Sequence, residues 1–359
     1  MSNELQHKTV PDFSQRLQGW YHQHHRELPW RGTRDPYRIW LSEIILQQTR
    51  VAQGLPYYEA FLNAFPTVEH FAAASEEEVL RLWQGLGYYS RARNMHTTAR
   101  RVVEEYGRTF PSTYTELRKL KGVGPYTAAA IASFAFQEPV AVVDGNVFRV
   151  LARIFGIETD IKSAAAKKEF GTLARQLLDP EHPDIHNQAV MEFGATHCTP
   201  KSPACASCPF RAECVAFREE KQAILPVKSK KTKVRERYFH YLVFQHDNQT
   251  LVRRRPAGDI WQGLYDFFLL EAKEWLSENR LQEVHPPGVL GEPSPIYKHQ
   301  LSHQRLWVRF WRVVVENPEA WERLQQAHGL QAATTAEMEQ LPKPVLIKKY
   351  LDNLKVSLF

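Results

Sequence analysis

All four cysteines of this 359-residue chain, Cys198, Cys205, Cys208 and Cys214, fall within one short window, spaced C-x6-C-x2-C-x5-C. A secreted disulfide scaffold spreads its cysteines to staple distant segments, whereas clustered thiols in a reducing compartment point to a metal centre. Four soft thiolates this close in sequence wrap one centre without help from distant segments. Either a zinc ion or an iron-sulfur cubane satisfies that bare chemistry.

The chain is too long for one ordinary hydrophobic core, so two domains are expected. Lys plus Arg outnumber Asp plus Glu by 46 to 40, for a net charge of +6. That balance suits a polyanionic partner and equally a mixed solvated surface. No apolar run reaches membrane-spanning length, and MSNELQHKTVPDFSQRL lacks a basic-then-apolar signal pattern. A cytoplasmic protein is expected, nucleoid-associated if the source is bacterial.

From about residue 13 to 217 the pattern is one of amphipathic helices, for example 37–48, 76–83 and 126–136, broken by Gly and Pro turns. The β-branched run 139–143 is an extended segment between helices. KQAILPVKSKKTKVRER, residues 221–237, is basic and poor in large apolar residues, a linker that either stays solvated or touches phosphates. Beyond it, 238–245, 250–254, 264–270 and 305–315 read as strands, with helices near 272–283 and 345–354. The expected organisation is a helical region over 1–220, a linker over 221–237 and an α+β domain over 238–359.

Within the helical region, LRKLKGVGPYTAAAIA (117–132) is a helix end, a Gly-Val-Gly turn and a small-residue helix opening at Pro125. Gly122 and Gly124 let the backbone approach a ligand closely, and the amides at the helix start form an anion site suited to phosphate. The turn lacks the third glycine of a dinucleotide loop and the ending of a Walker loop. In PVAVVDGNVFRV, Asp144 follows an extended segment and precedes a helix, where Asp144 or Asn146 makes an ordinary N-cap. Glu43 lies in IWLSEIILQQT among Trp40, Leu41, Ile44, Ile45 and Leu46. Desolvation there raises a carboxyl pKa and keeps it a proton donor near neutrality, unless the residue sits on a narrow solvent stripe.

The cysteine spacing after a helical region resembles the 4Fe-4S loop of the endonuclease-III-like DNA glycosylases, and 117–132 resembles their helix-hairpin-helix. Glu43, the hairpin, Asp144 and the cysteine loop, in that order over most of residues 20–220, resemble the adenine DNA glycosylases that remove adenine mispaired with 8-oxoguanine. The resemblance implies a mainly α fold with a 4Fe-4S cluster on Cys198, Cys205, Cys208 and Cys214. It implies a monomer acting on duplex DNA that holds the adenine:8-oxoguanine mispair, with Lys201 and Arg211 near the DNA backbone. Glu43 is then the acid that protonates the base, and Asp144 the carboxylate that stabilises the oxocarbenium-like sugar, directly or through a transient covalent bond. This is the two-carboxylate logic of glycosidases.

Bifunctional relatives place a nucleophilic lysine just after the hairpin. Tyr126 stands there, which implies a monofunctional enzyme. By the same resemblance Gln48 wedges into the vacated stack and Tyr88 inserts beside the orphaned base, while Trp30, Arg31, Leu46 and Gln188 line the adenine pocket. Read by spacing alone, Trp30, Leu46 and Tyr88 are core packing. The C-terminal domain resembles a Nudix-like lesion reader without the acidic box after Gly263, so pyrophosphohydrolysis is not expected. Ser302 and His303 match its 8-oxoguanine-reading loop, and Leu301 stands where the family commonly has Phe. Two other functions compete. A glycosylase-lyase for oxidised pyrimidines is opposed by Tyr126 and the second domain, and a catalytically silent DNA-binding iron-sulfur protein is opposed by the presence of Glu43 and Asp144.

Overall fold

The computed structural model describes residues 10, 12–229, 234–284 and 288–356. Most of the N-terminal stretch read for a signal, and residues 230–233 of the basic segment, lie outside the described residues. The chain forms two compact units, residues 1–72 with 97–230, and residues 73–96 with 231–359.

The first unit is helical. Phe13–His24 buries Phe13, Leu17, Trp20 and Tyr21 in a cluster that also takes Val150, Leu151 and Ile154 of the helix Gly145–Phe155, Phe170 of Ala164–Leu177, and Phe193 and Phe210. A second aromatic group joins Trp40 of Pro36–Ile45 to Phe71 and Phe110 at centroid distances of 5.9 and 5.3 Å. The helix expected over 37–48 ends at Ile45, and its last residues turn, with Gln48 at a φ of 57°. Pro125–Phe136 consists largely of small residues and buries Ala128 to Ser133, which lets it lie close against Pro36–Ile45 and Pro183–Glu192.

The run 139–143 is extended, as its composition predicts. The fully buried Asn187 pins it: its Nδ2 donates to the Val140 carbonyl at 2.9 Å, and its Oδ1 accepts from the Val142 amide at 3.0 Å. The helix after it starts at Asp144, whose carboxylate caps the amides of Asn146 and Val147, both at 2.8 Å. The helix Pro183–Glu192 runs into a π turn, Phe193–His197, directly ahead of Cys198.

The second unit is built on a mixed sheet. Its strands are β1 Arg235–His246, β2 Gln249–Arg254, β3 Tyr265–Asp266, β4 Phe268–Ala272, β5 Val289–Pro293, β6 Tyr297–Gln300, β7 Gln304–Val314 and β8 Gln331–Thr334. β1 and β7 pair in parallel from Arg235 against Gln304 to Gln245 against Val314. β4 and β2 pair antiparallel with β1, β6 and β5 with β7, and β3 and β8 with β2. The segment expected as one strand over 264–270 is split at Phe267, and the helix expected over 272–283 forms only at Glu278–Val284. One sheet face packs Leu242, Phe244, Trp311 and Val313 against Trp321 and Leu324 of the helix Pro318–His328. The other places Phe310 between Tyr241, 5.2 Å away, and Tyr350 of the helix Val345–Val356, 3.9 Å away, both stacked. β1 begins inside the segment read as linker.

Candidate active site

A cavity of about 190 Å³ in the first unit is lined by Trp30, Arg31, Glu43, Leu46, Tyr126, Asp144 and Gln188, together with Arg26, Asn146 and Glu192. Seven residues selected from the sequence, spread from 30 to 188, thus meet at one site.

Glu43 is 7 % exposed. Burial lifts its carboxyl to about 7, helped by the charge of Asp144 and opposed by a hydrogen bond donated by the Tyr126 hydroxyl and by Arg31. Burial together with the two carboxylates holds Tyr126 as a neutral phenol, its own pKa far above its usual value. Asp144 is half-buried, and desolvation raises its carboxyl, but three donors work the other way. These are the two capping amides on Oδ1 and the Asn146 side-chain amide on Oδ2 at 2.7 Å. Asn146 is in turn held by Arg149 Nη2, which donates to its Oδ1 at 2.8 Å. Burial thus raises both carboxyls; Glu43 is tuned to keep a proton near neutrality, whereas at Asp144 fixed donors and a helix N-terminus oppose the rise.

The cavity wall is braced. Trp30 meets Tyr58 edge-on at 5.1 Å, and Gln188 Oε1 accepts from the Tyr21 hydroxyl at 3.1 Å. Arg31 donates to the buried Glu192 at 2.6 Å. Sequence reasoning missed Arg26, Asn187 and Glu192; an acidic residue inside the apolar pattern AVMEFGA was the only signal for Glu192.

The remaining candidates lie elsewhere. Gln48 is exposed on its turn. Gly122, at a φ of 78°, makes the hairpin turn that only glycine adopts without strain. The turn is tied down by Thr98 Oγ1 and Arg101 Nη1, which donate to the carbonyls of Lys121 and Lys119 at 2.8 and 2.7 Å. Gly124 is the side-chain-free N-cap before Pro125. In the second unit a cavity of about 540 Å³ is lined by Tyr88, Trp261, His299, Ser302 and His303. There the Tyr88 and Ser302 hydroxyls are hydrogen-bonded to each other, and the His303 carbonyl accepts from the amide of Arg235 at 3.0 Å.

The four cysteines are free thiols. Burial pushes Cys208 up to about 12, with Cys198, Cys214 and Cys205 adding to the shift. Arg153 Nη1 and the Phe210 amide each stand 3.4 Å from a sulfur, of Cys198 and Cys208 respectively. Among the described residues no three His, Cys, Asp or Glu side chains form a group that holds a metal ion. The donor set, four thiols in one loop with N–H groups aimed at two of them, fits a thiolate-ligated cluster.

Residues 41–176 match the model of the HhH-GPD superfamily of base excision DNA repair proteins, and residues 240–353 match a NUDIX domain. An adenine DNA glycosylase of Buchnera aphidicola is 34% identical over 278 residues, covering 76% of this chain and 80% of the relative. The human adenine DNA glycosylase is 46% identical over 222 residues, covering 59% of this chain and 41% of that protein. Among solved structures, a thermostable thymine-DNA glycosylase superposes with a TM-score of 0.54 at 29% identity, covering 58% of this chain and 95% of its own. The chain belongs to the adenine DNA glycosylase family of the HhH-GPD superfamily.

Proposed function

We propose that this chain hydrolyses the N-glycosidic bond of adenine in duplex DNA, as a monofunctional monomeric enzyme whose preferred substrate is adenine opposite 8-oxoguanine. The observation that carries the reading is the pair Glu43 and Asp144, held in one cavity where burial raises both carboxyls and only Asp144 carries capping donors that oppose the rise. An adenine anion is a poor leaving group. Glu43, half-protonated near neutrality, donates a proton to a ring nitrogen as the C–N bond breaks. Asp144, with its capping donors, faces the sugar as positive charge develops and stabilises it until water adds. Tyr126, a neutral phenol bonded to Glu43, orients the acid and supplies no amine for a Schiff base, which favours base removal without strand cleavage.

The flipped adenine occupies the wall of Trp30, Arg31, Leu46 and Gln188, with Gln48 and Tyr88 filling the gap in the stack. Ser302 and His303 read the base opposite, and Gly122 and Gly124 present backbone to a phosphate. Cys198, Cys205, Cys208 and Cys214 hold a 4Fe-4S cluster, which supplies a structural tie for the loop carrying Lys201 and Arg211 rather than redox chemistry. Iron and acid-labile sulfide, with no zinc, are the expected contents of the purified protein. Four cysteines clustered in one loop and DNA as substrate support a cytoplasmic enzyme, nucleoid-associated if the source is bacterial.

Single-turnover reaction with a duplex holding adenine opposite 8-oxoguanine, with and without alkali, tests the reading. Strand breaks at the adenine that appear only after alkali are expected. Intact strands after alkali, from folded, cluster-loaded protein that binds the duplex, would reject it.

A further inference from the structure

The cavity that holds Glu43 also holds two cations. Arg26 and Arg31 line it, and Arg31 already acts on Glu43 in the direction that favours the ionised carboxylate. A fixed positive charge beside a proton donor is a liability, because it stabilises the donor's deprotonated form. Glu192 answers both arginines at once. Its side chain is wholly buried. Its Oε1 accepts from the Arg26 amide at 3.1 Å and from Arg26 Nε at 2.7 Å. Its Oε2 accepts from Arg26 Nη2 at 2.7 Å and from Arg31 Nη2 at 2.6 Å. Arg31 Nη1 is spent on the Arg26 carbonyl at 2.9 Å. The hydrogen bonds from Arg26 and Arg31 overcome the cost of burial and bring the Glu192 carboxyl down to about 2, so it stays charged across the working range. Gln188 lies one helical turn earlier on the same helix, so one face of Pro183–Glu192 supplies both the pocket wall and the charge beneath it.

We propose that Glu192 is a positioning residue that neutralises Arg31 and Arg26 and turns the Arg31 guanidinium away from Glu43, so that Glu43 can keep the proton it donates. The inference rests on the proposed role of Glu43 as the acid. The titratable and charged groups facing Glu43 are Tyr126 from Pro125–Phe136, Asp144 at the start of Gly145–Phe155, and Arg31 from the segment after the first helix. Arg31 is the cation among these three, and Glu192 is its buried carboxylate partner. Loss of the Glu192 charge therefore acts on Glu43 with one sign, both by removing a nearby negative charge and by releasing Arg31.

The test is the pH profile of single-turnover adenine release by the full-length, cluster-loaded protein. In the parent enzyme the rate declines as Glu43 ionises. In Glu192→Gln the decline is expected to move to lower pH by about one unit, read as a loss of about tenfold at a pH above the limb. Glu192→Asp keeps the charge and is expected to hold the limb within a few tenths of the parent, whatever its effect on the plateau rate. Arg31→Met is expected to move the limb upward, and it decides the matter if Glu192→Gln does not fold. A role confined to holding the wall together would lower the rate equally at every pH, and a limb unmoved in Glu192→Gln and Arg31→Met would overturn the inference alone. A parent enzyme with no declining limb, or full activity in Glu43→Gln, would instead overturn the reading of Glu43 and the inference with it.

Discussion

Asp144 has a capping duty and a charge, and one substitution separates them. Asparagine caps a helix about as well as aspartate, so Asp144→Asn keeps the backbone bonds from Asn146 and Val147 and loses the negative charge together with the bond from the Asn146 side-chain amide. Adenine release is expected to fall at least 10²- to 10³-fold, on the order of losing a principal electrostatic stabiliser, with melting temperature and lesion-DNA binding little changed; full activity would remove Asp144 from the chemistry. For Glu43 the linkage has a definite sign. Its folded carboxyl titrates near 7 against an ordinary value of 4.5, so between those values the folded state holds a proton that the unfolded state has released, and stability falls as pH rises. Glu43→Gln is therefore expected to be more stable than the parent at pH 8 by about 3 kcal/mol, while at pH 4 the two unfold at similar denaturant concentrations. Stability of the two proteins that differs equally at both pH values would contradict the buried, proton-holding state. Glu43 and Asp144 were legible because each announces itself locally, by an acidic residue in an apolar helix and by a cap after an extended run. Glu192 carried a similar local signal, but the partners that give it and Asn187 their roles lie 161 to 166 and 45 to 54 residues away.

At the scale of elements, the site depends on how closely the π turn approaches the Asp144 helix. A Cβ on Gly194 would stand 2.7 Å from the Asn146 Cβ and 3.0 Å from its carbonyl oxygen, closer than real contacts allow. The Gly194 carbonyl also accepts from Arg149 Nη2, which donates to Asn146 Oδ1 as well, while Arg149 Nε donates to the Cys198 carbonyl. Gly194→Ala must push the turn off the helix, with an expected cost of about 1–3 kcal/mol and a loss of adenine release larger than the stability change explains. Gly171, on Ala164–Leu177, has open space around its Cα, so Gly171→Ala is expected to raise stability by about 0.5–1 kcal/mol and leave the rate alone. Thermal unfolding with single-turnover rates for both proteins checks the contrast, and equal effects would deny the close approach any importance. The long helices and β1, β2 and β7 were readable from period and composition. The π turn was not, since it continues a helical pattern without interruption, and β5, β6 and β8, at four or five residues each, are too short to show alternation.

For the whole molecule, the chain crosses between its compact units three times, because residues 73–96 belong with 231–359 although they lie inside the stretch that matches the HhH-GPD family. Nothing local in the sequence marks this exchange, since the short helix Glu76–Leu82 looks like any other amphipathic helix. Its partners are far along the chain: Glu76 pairs with Arg254 at 2.7 Å, Glu77 accepts from the Tyr265 hydroxyl at 2.7 Å, and Arg93, further on, donates to the Gln262 carbonyl at 2.7 Å. Seven residues are too few to hold a helix in water, even with the capping box of Ser75 and Glu78. A chain ended at residue 229 is therefore expected to lose amide protection across Glu76–Leu82 while Pro125–Phe136 keeps its own, as hydrogen exchange would record. Undiminished protection of Glu76–Leu82 would mean that the first unit alone supports it. The cavity of Glu43 and Asp144 lies entirely in the first unit, whereas Tyr88, Ser302 and His303 share the second. The same truncated protein should thus still remove adenine but with little preference for 8-oxoguanine over guanine opposite it, and because its Tyr88 loop has lost its partners, the deficit should exceed that of Ser302→Ala with His303→Ala in the full chain.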